Sequence, residues 1–320
     1  MNELMKTLGN MGIIPVFTVN DAEDAVPICK ALTAGGLPAA EIMFRSSEAE
    51  KAIRKVAVEL PDVLVGAGTV LTVEQAKRAL DAGAKFIVSP GFDRSLVEFC
   101  INKNVPVLPG CSTPSEIQTA VGYGLDTIKY FPVIPLGGVE TLKQLSGPYS
   151  TVNFVVTGGV DSGNLAKLLS FNKVLAVGGN WMVIDDAVKS KNFKEITRIV
   201  RDDVNTMLGF ELAHIGINAG KEENALKIAE TMAAILNMPM KPGEKSHFVG
   251  SAVEVLKSEG LGHNGHIGIK TSSVKRTIYH LEQKGIEFNN KTINISPEGI
   301  VNNIYLKEEI GGFAIHFFQN

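Results

Sequence analysis

Short apolar runs alternate with amphipathic stretches through the first two-thirds of the chain. Ile13-Ile14-Pro15-Val16-Phe17 leads into a helix expected over residues 22–32, with Gly35-Gly36 as its stop. Ala40-Glu41-Ile42-Met43-Phe44 leads into 48–60, Val63-Leu64-Val65-Gly66-Ala67-Gly68 into 73–82, and Phe86-Ile87-Val88 into 95–102. Val105-Pro106-Val107-Leu108 then precedes 114–123, and the run 125–133 precedes 138–145. Asn153-Phe154-Val155-Val156 precedes 164–169, and Val174-Leu175-Ala176-Val177 precedes 193–207. Strands that are apolar along their whole length suit a parallel sheet covered by helices. Eight such units in about 205 residues point to an α/β fold, a closed (β/α)8 TIM barrel. A doubly wound open sheet is the alternative, but it more often carries a glycine fingerprint after its first strand. This chain has Val19-Asn20-Asp21-Ala22 there.

After Met207-Leu208-Gly209 the pattern becomes strand-rich. Ala213-His214-Ile215-Gly216-Ile217 and Gly265-His266-Ile267-Gly268-Ile269 repeat each other, each followed by a helix (about 224–236 and 273–284) and short strands. The expected organisation is a barrel over 1–207 and, over 208–320, an α+β domain of paired βαβββ modules.

Composition narrows the partners. The 320 residues exceed a typical single domain, and 45% hydrophobic with 20% charged residues is ordinary for a globular protein. A net charge of −3 gives no basic footprint, which argues against nucleic acid. No apolar run approaches a membrane span, and Met1-Asn2-Glu3-Leu4-Met5-Lys6 lacks the pattern of a secretory signal. The expected location is cytoplasmic. Three widely spaced cysteines, Cys29, Cys100 and Cys111, form neither a metal pair nor a disulfide framework and read as small core residues.

The chemistry centres on Lys129, flanked by Ile128, Tyr130 and Phe131 in a run that stops at Pro132. Burial there would disfavour the ammonium, lower its pKa and make the amine a nucleophile towards a carbonyl. A solvated lysine at a strand end is the plainer alternative. Strand alternation puts Glu41, Met43 and Arg45 on one face, pointing into the barrel, with Glu41 and Arg45 roughly 13 Å apart. A buried Glu41 is either a structural ion-pair partner of Lys129 or a carboxylate that shuttles protons beside an imine. Glycine-rich and polar residues collect at the carboxyl ends of strands, where barrels of this type build active sites. The doubled glycines Gly158-Gly159 and Gly178-Gly179, after strands seven and eight, suit a phosphate, although any one glycine could simply serve a tight turn.

These stretches resemble the bacterial 2-keto-3-deoxy-6-phosphogluconate and 4-hydroxy-2-oxoglutarate aldolase family. The matching segments run in family order: Glu41-Ile42-Met43-Phe44-Arg45, Val65-Gly66-Ala67-Gly68-Thr69-Val70, Ser89-Pro90-Gly91, Pro109-Gly110-Cys111-Ser112-Thr113, Lys129-Tyr130-Phe131-Pro132, Thr157-Gly158-Gly159 and Gly178-Gly179-Asn180-Trp181. The resemblance implies a class I aldolase that needs no metal cofactor, works as a homotrimer, and releases pyruvate from a 2-keto-4-hydroxy acid. The second product would be glyceraldehyde 3-phosphate or glyoxylate. By motif match, Lys129 would form the Schiff base and Glu41 would act as general acid and base through a water. Arg45, Thr69, Pro90 and Phe131 would line the pyruvate pocket, and Gly158, Gly159 and Gly179 would cradle a distal phosphate. Thr18 stands where many relatives carry a basic residue, and Asn180, still able to donate a hydrogen bond to phosphate, where some carry serine. Phosphogluconate-derived, phosphogalactonate-derived and 4-hydroxy-2-oxoglutarate substrates therefore all stay open.

The last third resembles the vicinal-oxygen-chelate superfamily, which includes glyoxalase I. In that superfamily the first and last strands of each module supply metal ligands. The corresponding residues here are His214 and Glu254, then His266 and His316, the last standing where glutamate is usual. The resemblance implies a Zn²⁺, Ni²⁺ or Fe²⁺ site. It equally allows histidines with only structural roles, a regulatory module that binds a metal or a small oxoacid, or a module used for assembly alone.

Overall fold

The computed structural model describes residues 2–297 and 299–319. The chain divides into two compact units, Met1–Met207 and Leu208–Asn320.

The first unit is a (β/α)8 barrel-like parallel sheet. Its strands are β1 (Ile13–Phe17), β2 (Ala39–Met43), β3 (Leu64–Gly68), β4 (Ile87–Val88), β5 (Val107–Leu108), β6 (Thr127–Tyr130), β7 (Asn153–Thr157) and β8 (Val174–Gly179). They run parallel in the order β5-β4-β3-β2-β1-β8-β7-β6. The remaining seam lies between β5 and β6, where Gly110 bridges Lys129: the Lys129 amide donates to the Pro109 carbonyl at 3.0 Å, and the Cys111 amide donates to the Lys129 carbonyl at 2.9 Å. Lys129 is thus held by both of its backbone groups where the ring closes, and this fixes the direction of its side chain.

The helices are α1 (Glu3–Met11), α2 (Ala25–Gly35), α3 (Ala49–Glu59), α4 (Val73–Asp81), α5 (Arg94–Asn102), α6 (Pro114–Gly122), α7 (Gly138–Ser146), α8 (Leu165–Leu169), α9 (Asp185–Lys189) and α10 (Phe193–Leu208). Their start signals are local. Thr113 and Glu116 form a reciprocal capping box ahead of α6, with Pro114 at its first position, and Asp93 and Thr72 cap α5 and α4 with their side-chain oxygens. Residues 22–24, expected at the start of a longer helix, form a separate 3-10 turn capped by Asp21 before α2 begins. The helix α1 escaped the strand-helix reading, although Asn2 caps its start and Gly12, at φ 79°, its end. Outer strand positions such as Ile42, Ile128 and Phe154 are fully buried.

The second unit has one eight-stranded sheet in the order β10-β11-β12-β9-β13-β16-β15-β14. In chain order it runs β9 (Glu211–Asn218), α11 (Glu222–Leu236), β10 (Met240–Pro242), β11 (Ser246–Val249), β12 (Val253–Leu256), then β13 (Gly265–Lys270), α12 (Val274–Glu282), β14 (Phe288–Ile295), β15 (Val301–Leu306) and β16 (Phe313–Phe318). Each half places its first strand parallel to its last, β9 on β12 and β13 on β16, and the halves join antiparallel through β9 and β13. One face buries Ala225, Ala229, Val249 and Val255 with α11, and Val274, Ile304 and Phe317 with α12. Alternation leaves the opposite face for the polar side chains described below.

Candidate active site

Two ionisable side chains meet inside the barrel. Lys129 on β6 and Glu41 on β2 are 8% and 3% exposed, and Lys129 Nζ lies 3.7 Å from Glu41 Oε1. That separation exceeds a good N–H···O hydrogen bond and is short enough for one intervening water or substrate oxygen to bridge. Glu41 Oε1 is buried and accepts no hydrogen bond from the protein. An orphaned carboxylate oxygen is costly in an interior and is expected where a ligand or proton donor will arrive. Gly68 makes room for it, since a Cβ there would sit 2.2 Å from Glu41 Oε1.

The other barrel residues singled out from sequence lie at the carboxyl ends of the strands. Thr69 follows β3 with a φ of 54°, an uncommon and strained backbone for a β-branched residue. Its Oγ1 accepts from Arg45 Nε at 3.1 Å. Arg45 corrects one expectation. The strand β2 ends at Met43, the Arg45 amide turns back to the Met43 carbonyl at 2.8 Å, and the side chain is exposed at the rim instead of pointing inward with Glu41. Pro90 follows β4, and its carbonyl packs against Gly110. Phe131 follows β6 with its ring centroid 5.5 Å from Lys129 Nζ. Gly158 and Gly159, at φ 95° and 79°, follow β7 and pack on Pro132 and Ile134. Gly179 ends β8, and Asn180 is exposed on the loop beyond. Thr157, at the end of β7, carries a feature that its glycine-rich motif hides in the sequence: its buried hydroxyl has no protein partner.

This architecture agrees with the comparisons to known proteins. The sequence profile of the KDPG and KHG aldolases matches residues 4–199. The chain belongs to the KDPG and KHG aldolase family. It is a class I aldolase, a lyase that forms pyruvate by aldol cleavage. It is 42% identical over 199 residues to the 2-dehydro-3-deoxy-phosphogluconate aldolase of Treponema pallidum, a match covering 62% of this chain and 95% of that protein. It is 40% identical over 192 residues to the KHG/KDPG aldolase of Escherichia coli, covering 60% and 90%. Among solved structures, the KDPG aldolase of Legionella pneumophila superposes with a TM-score of 0.59 at 36% identity, covering 61% of this chain and 95% of that one. In that crystal pyruvate was captured as a covalent carbinolamine intermediate.

The second unit gathers the four residues singled out for metal. His214, His266 and His316 present ring nitrogens that all lie within 4.8 Å of one another. His214 Nε2 is 3.1 Å from His266 Nε2 and 3.3 Å from His316 Nε2. Glu254 Oε2 is 3.2 Å from His266 Nε2 and 3.7 Å from His214 Nε2. The two glycines of the repeat explain how the rings fit: a Cβ on Gly216 would be 2.1 Å from the His266 ring, and one on Gly268 would be 2.3 Å from that of His214. The antiparallel register sets each histidine opposite the other half's glycine. His316 Nδ1 lies 2.6 Å from Asn303 Oδ1, and the ring is stacked between Tyr305 and Phe318. An amide oxygen only accepts, so Nδ1 carries the proton and Nε2 offers its lone pair inward. Burial, then the neighbouring histidines, pull His316 down to about 3, and the same causes lower His214. A hydrogen bond from His266 holds Glu254 below the usual carboxylate range, and Ser246 adds a second.

Proposed function

We propose that the barrel cleaves 2-keto-3-deoxy-6-phosphogluconate, 4-hydroxy-2-oxoglutarate or both through a Schiff base on Lys129, as a homotrimer. The observation that carries this reading is the buried Lys129–Glu41 pair with its unpartnered carboxylate oxygen. In this mechanism the neutral Nζ adds to the C2 ketone, and the carbinolamine loses water to give a protonated imine. Glu41 takes the C4 hydroxyl proton through a water, the C3–C4 bond breaks, and its electrons move into the imine to give an enamine as the aldehyde departs. Glu41 then helps return a proton to C3, and water hydrolyses the imine to pyruvate and the free amine. Arg45 and Thr69 hold the substrate carboxylate, Pro90 and Phe131 line the pyruvate pocket, and Gly158, Gly159, Gly179 and Asn180 receive a distal phosphate or carboxylate. The carbinolamine captured in the Legionella pneumophila aldolase supports the covalent route. An aldolase for the phosphogalactonate epimer uses the same parts, and product analysis on both epimers separates the two. Cleavage of phosphorylated and unphosphorylated 2-keto-4-hydroxy acids, assayed side by side, tests the reading. Glu41→Gln should lower kcat about 10²–10⁴-fold; wild-type turnover by that variant contradicts the role given to Glu41.

A second reading concerns the Leu208–Asn320 unit, as a pair of glyoxalase-like modules that bind a divalent metal. A tetrahedral ion with bonds of about 2.0–2.1 Å separates its donors by about 3.3 Å, and three of the four separations above lie within 0.2 Å of that. Neutral imidazoles, an ionised carboxylate, and outer partners such as Asn303 and Ser246 are what such a centre requires. His214, Glu254, His266 and His316 would hold the ion, which would supply Lewis acidity or, in a regulatory module, a docking point for an oxoacid. Zn²⁺ or Ni²⁺ should raise the thermal midpoint of the full chain, and His266→Ala should abolish that shift. An unchanged midpoint together with metal-free protein after purification contradicts it and leaves a structural histidine cluster.

A further inference from the structure

Besides Glu41, the barrel unit buries a second carboxyl group. Asp203 on α10 is 1% exposed, and the Trp181 indole Nε1 donates to its Oδ2 at 2.7 Å. Trp181 lies two residues beyond Gly179, with its ring edge 2.2 Å from where a Gly179 Cβ would stand, so the indole rests directly on the backbone of the β8 loop. The β7 loop has its own fastening, Asn164 Nδ2 donating to the Gly159 carbonyl at 2.9 Å.

We infer that Asp203 is a positioning residue for distal-anion recognition, holding Trp181 against Gly179 so that the β8 loop keeps the backbone position a phosphate needs. This inference rests on the reading of Gly158, Gly159 and Gly179 as the anion cradle. Backbone groups recognise a phosphate only while their geometry is held, and a hydrogen-bonded support behind them supplies that constraint. Asp203 itself touches no reacting atom. Burial raises its carboxyl group above the ordinary aspartate value, and the Trp181 donor opposes that rise.

The test uses the full chain with Trp181→Phe, which keeps a ring against Gly179 but removes the donor, and Asp203→Leu, which removes the acceptor. Each should raise KM for 2-keto-3-deoxy-6-phosphogluconate, and the inhibition constant of inorganic phosphate, about tenfold, roughly 1.4 kcal/mol. Neither should change kcat, or KM for unphosphorylated 2-keto-3-deoxygluconate, by more than about twofold, and the double variant should add little to either single one. Retention of wild-type phosphate affinity in both variants overturns the inference, as does an equal loss with both substrates, which marks a merely structural role. A wild-type enzyme indifferent to the substrate's phosphate overturns the cradle reading instead, and the Asp203 inference with it, so the two failures are distinguishable.

Discussion

Gly68 shows how tightly a single residue fits against Glu41. A methyl group on Gly68 would overlap the Glu41 carboxylate, so Gly68→Ala should displace that group from Lys129 and lower kcat at least about tenfold. Steady-state cleavage beside a thermal melt checks this: a large loss of kcat with a small change in midpoint is expected, and full activity contradicts the placement of Glu41. The cysteines make the opposite case. Burial pushes Cys29 and Cys111 up to about 12 and Cys100 to about 11. At pH 8 roughly one thiol in a thousand or fewer is then ionised. A raised value means less thiolate, so a thiol-reactive dye should leave the native protein unlabelled at pH 8 and titrate all three after denaturation. Fast labelling of native protein contradicts their burial.

At the scale of elements, most of the barrel was legible because parallel strands covered on both sides must be apolar throughout. That rule reports burial and not ladder pairing: Val105 and Phe86 belong to apolar runs, yet β5 and β4 pair over two residues each. The five-residue α9 is too short to show a helical period, and α1, though capped by Asn2 and Gly12, has no apolar strand before it to mark a strand-helix unit. Alternation placed Glu41 correctly and failed for Arg45, because it cannot say where a strand stops. The capping box before α6 gives a test at this scale. Thr113→Ala removes a side-chain oxygen that accepts from the Glu116 amide and should cost about 1 kcal/mol of barrel stability. Denaturant unfolding would show it, and an unchanged midpoint contradicts the cap's contribution. In the second sheet, the repeated His-Ile-Gly motif was legible as a repeat, but its reason was not. The glycine of each half accommodates the histidine of the other across β9 and β13, a contact that only the antiparallel register reveals.

At the scale of the whole molecule, the family match lies within Met1–Met207, and the four candidate ligands lie within Leu208–Asn320. Aldol cleavage through an amine calls for no metal, so chelation should strip any ion held by His214, Glu254, His266 and His316 without changing kcat for cleavage. Metal analysis and turnover on the same sample check this, and loss of turnover in proportion to lost metal contradicts it. Among the described residues no helix is long and apolar enough to cross a membrane. The motifs at the strand ends could be read from sequence because each carries glycine or a polar residue at the close of an apolar run. The Asp203 anchor could not, since it joins residues far apart in the chain with no pattern between them.

The most direct measurement is borohydride reduction of the protein in the presence of pyruvate, followed by peptide mapping by mass spectrometry. The expected result is one added, reduced pyruvate unit on Lys129 and none on the Lys129→Ala protein. Trapping that persists in Lys129→Ala, or that maps to another lysine, contradicts the assignment of the nucleophile.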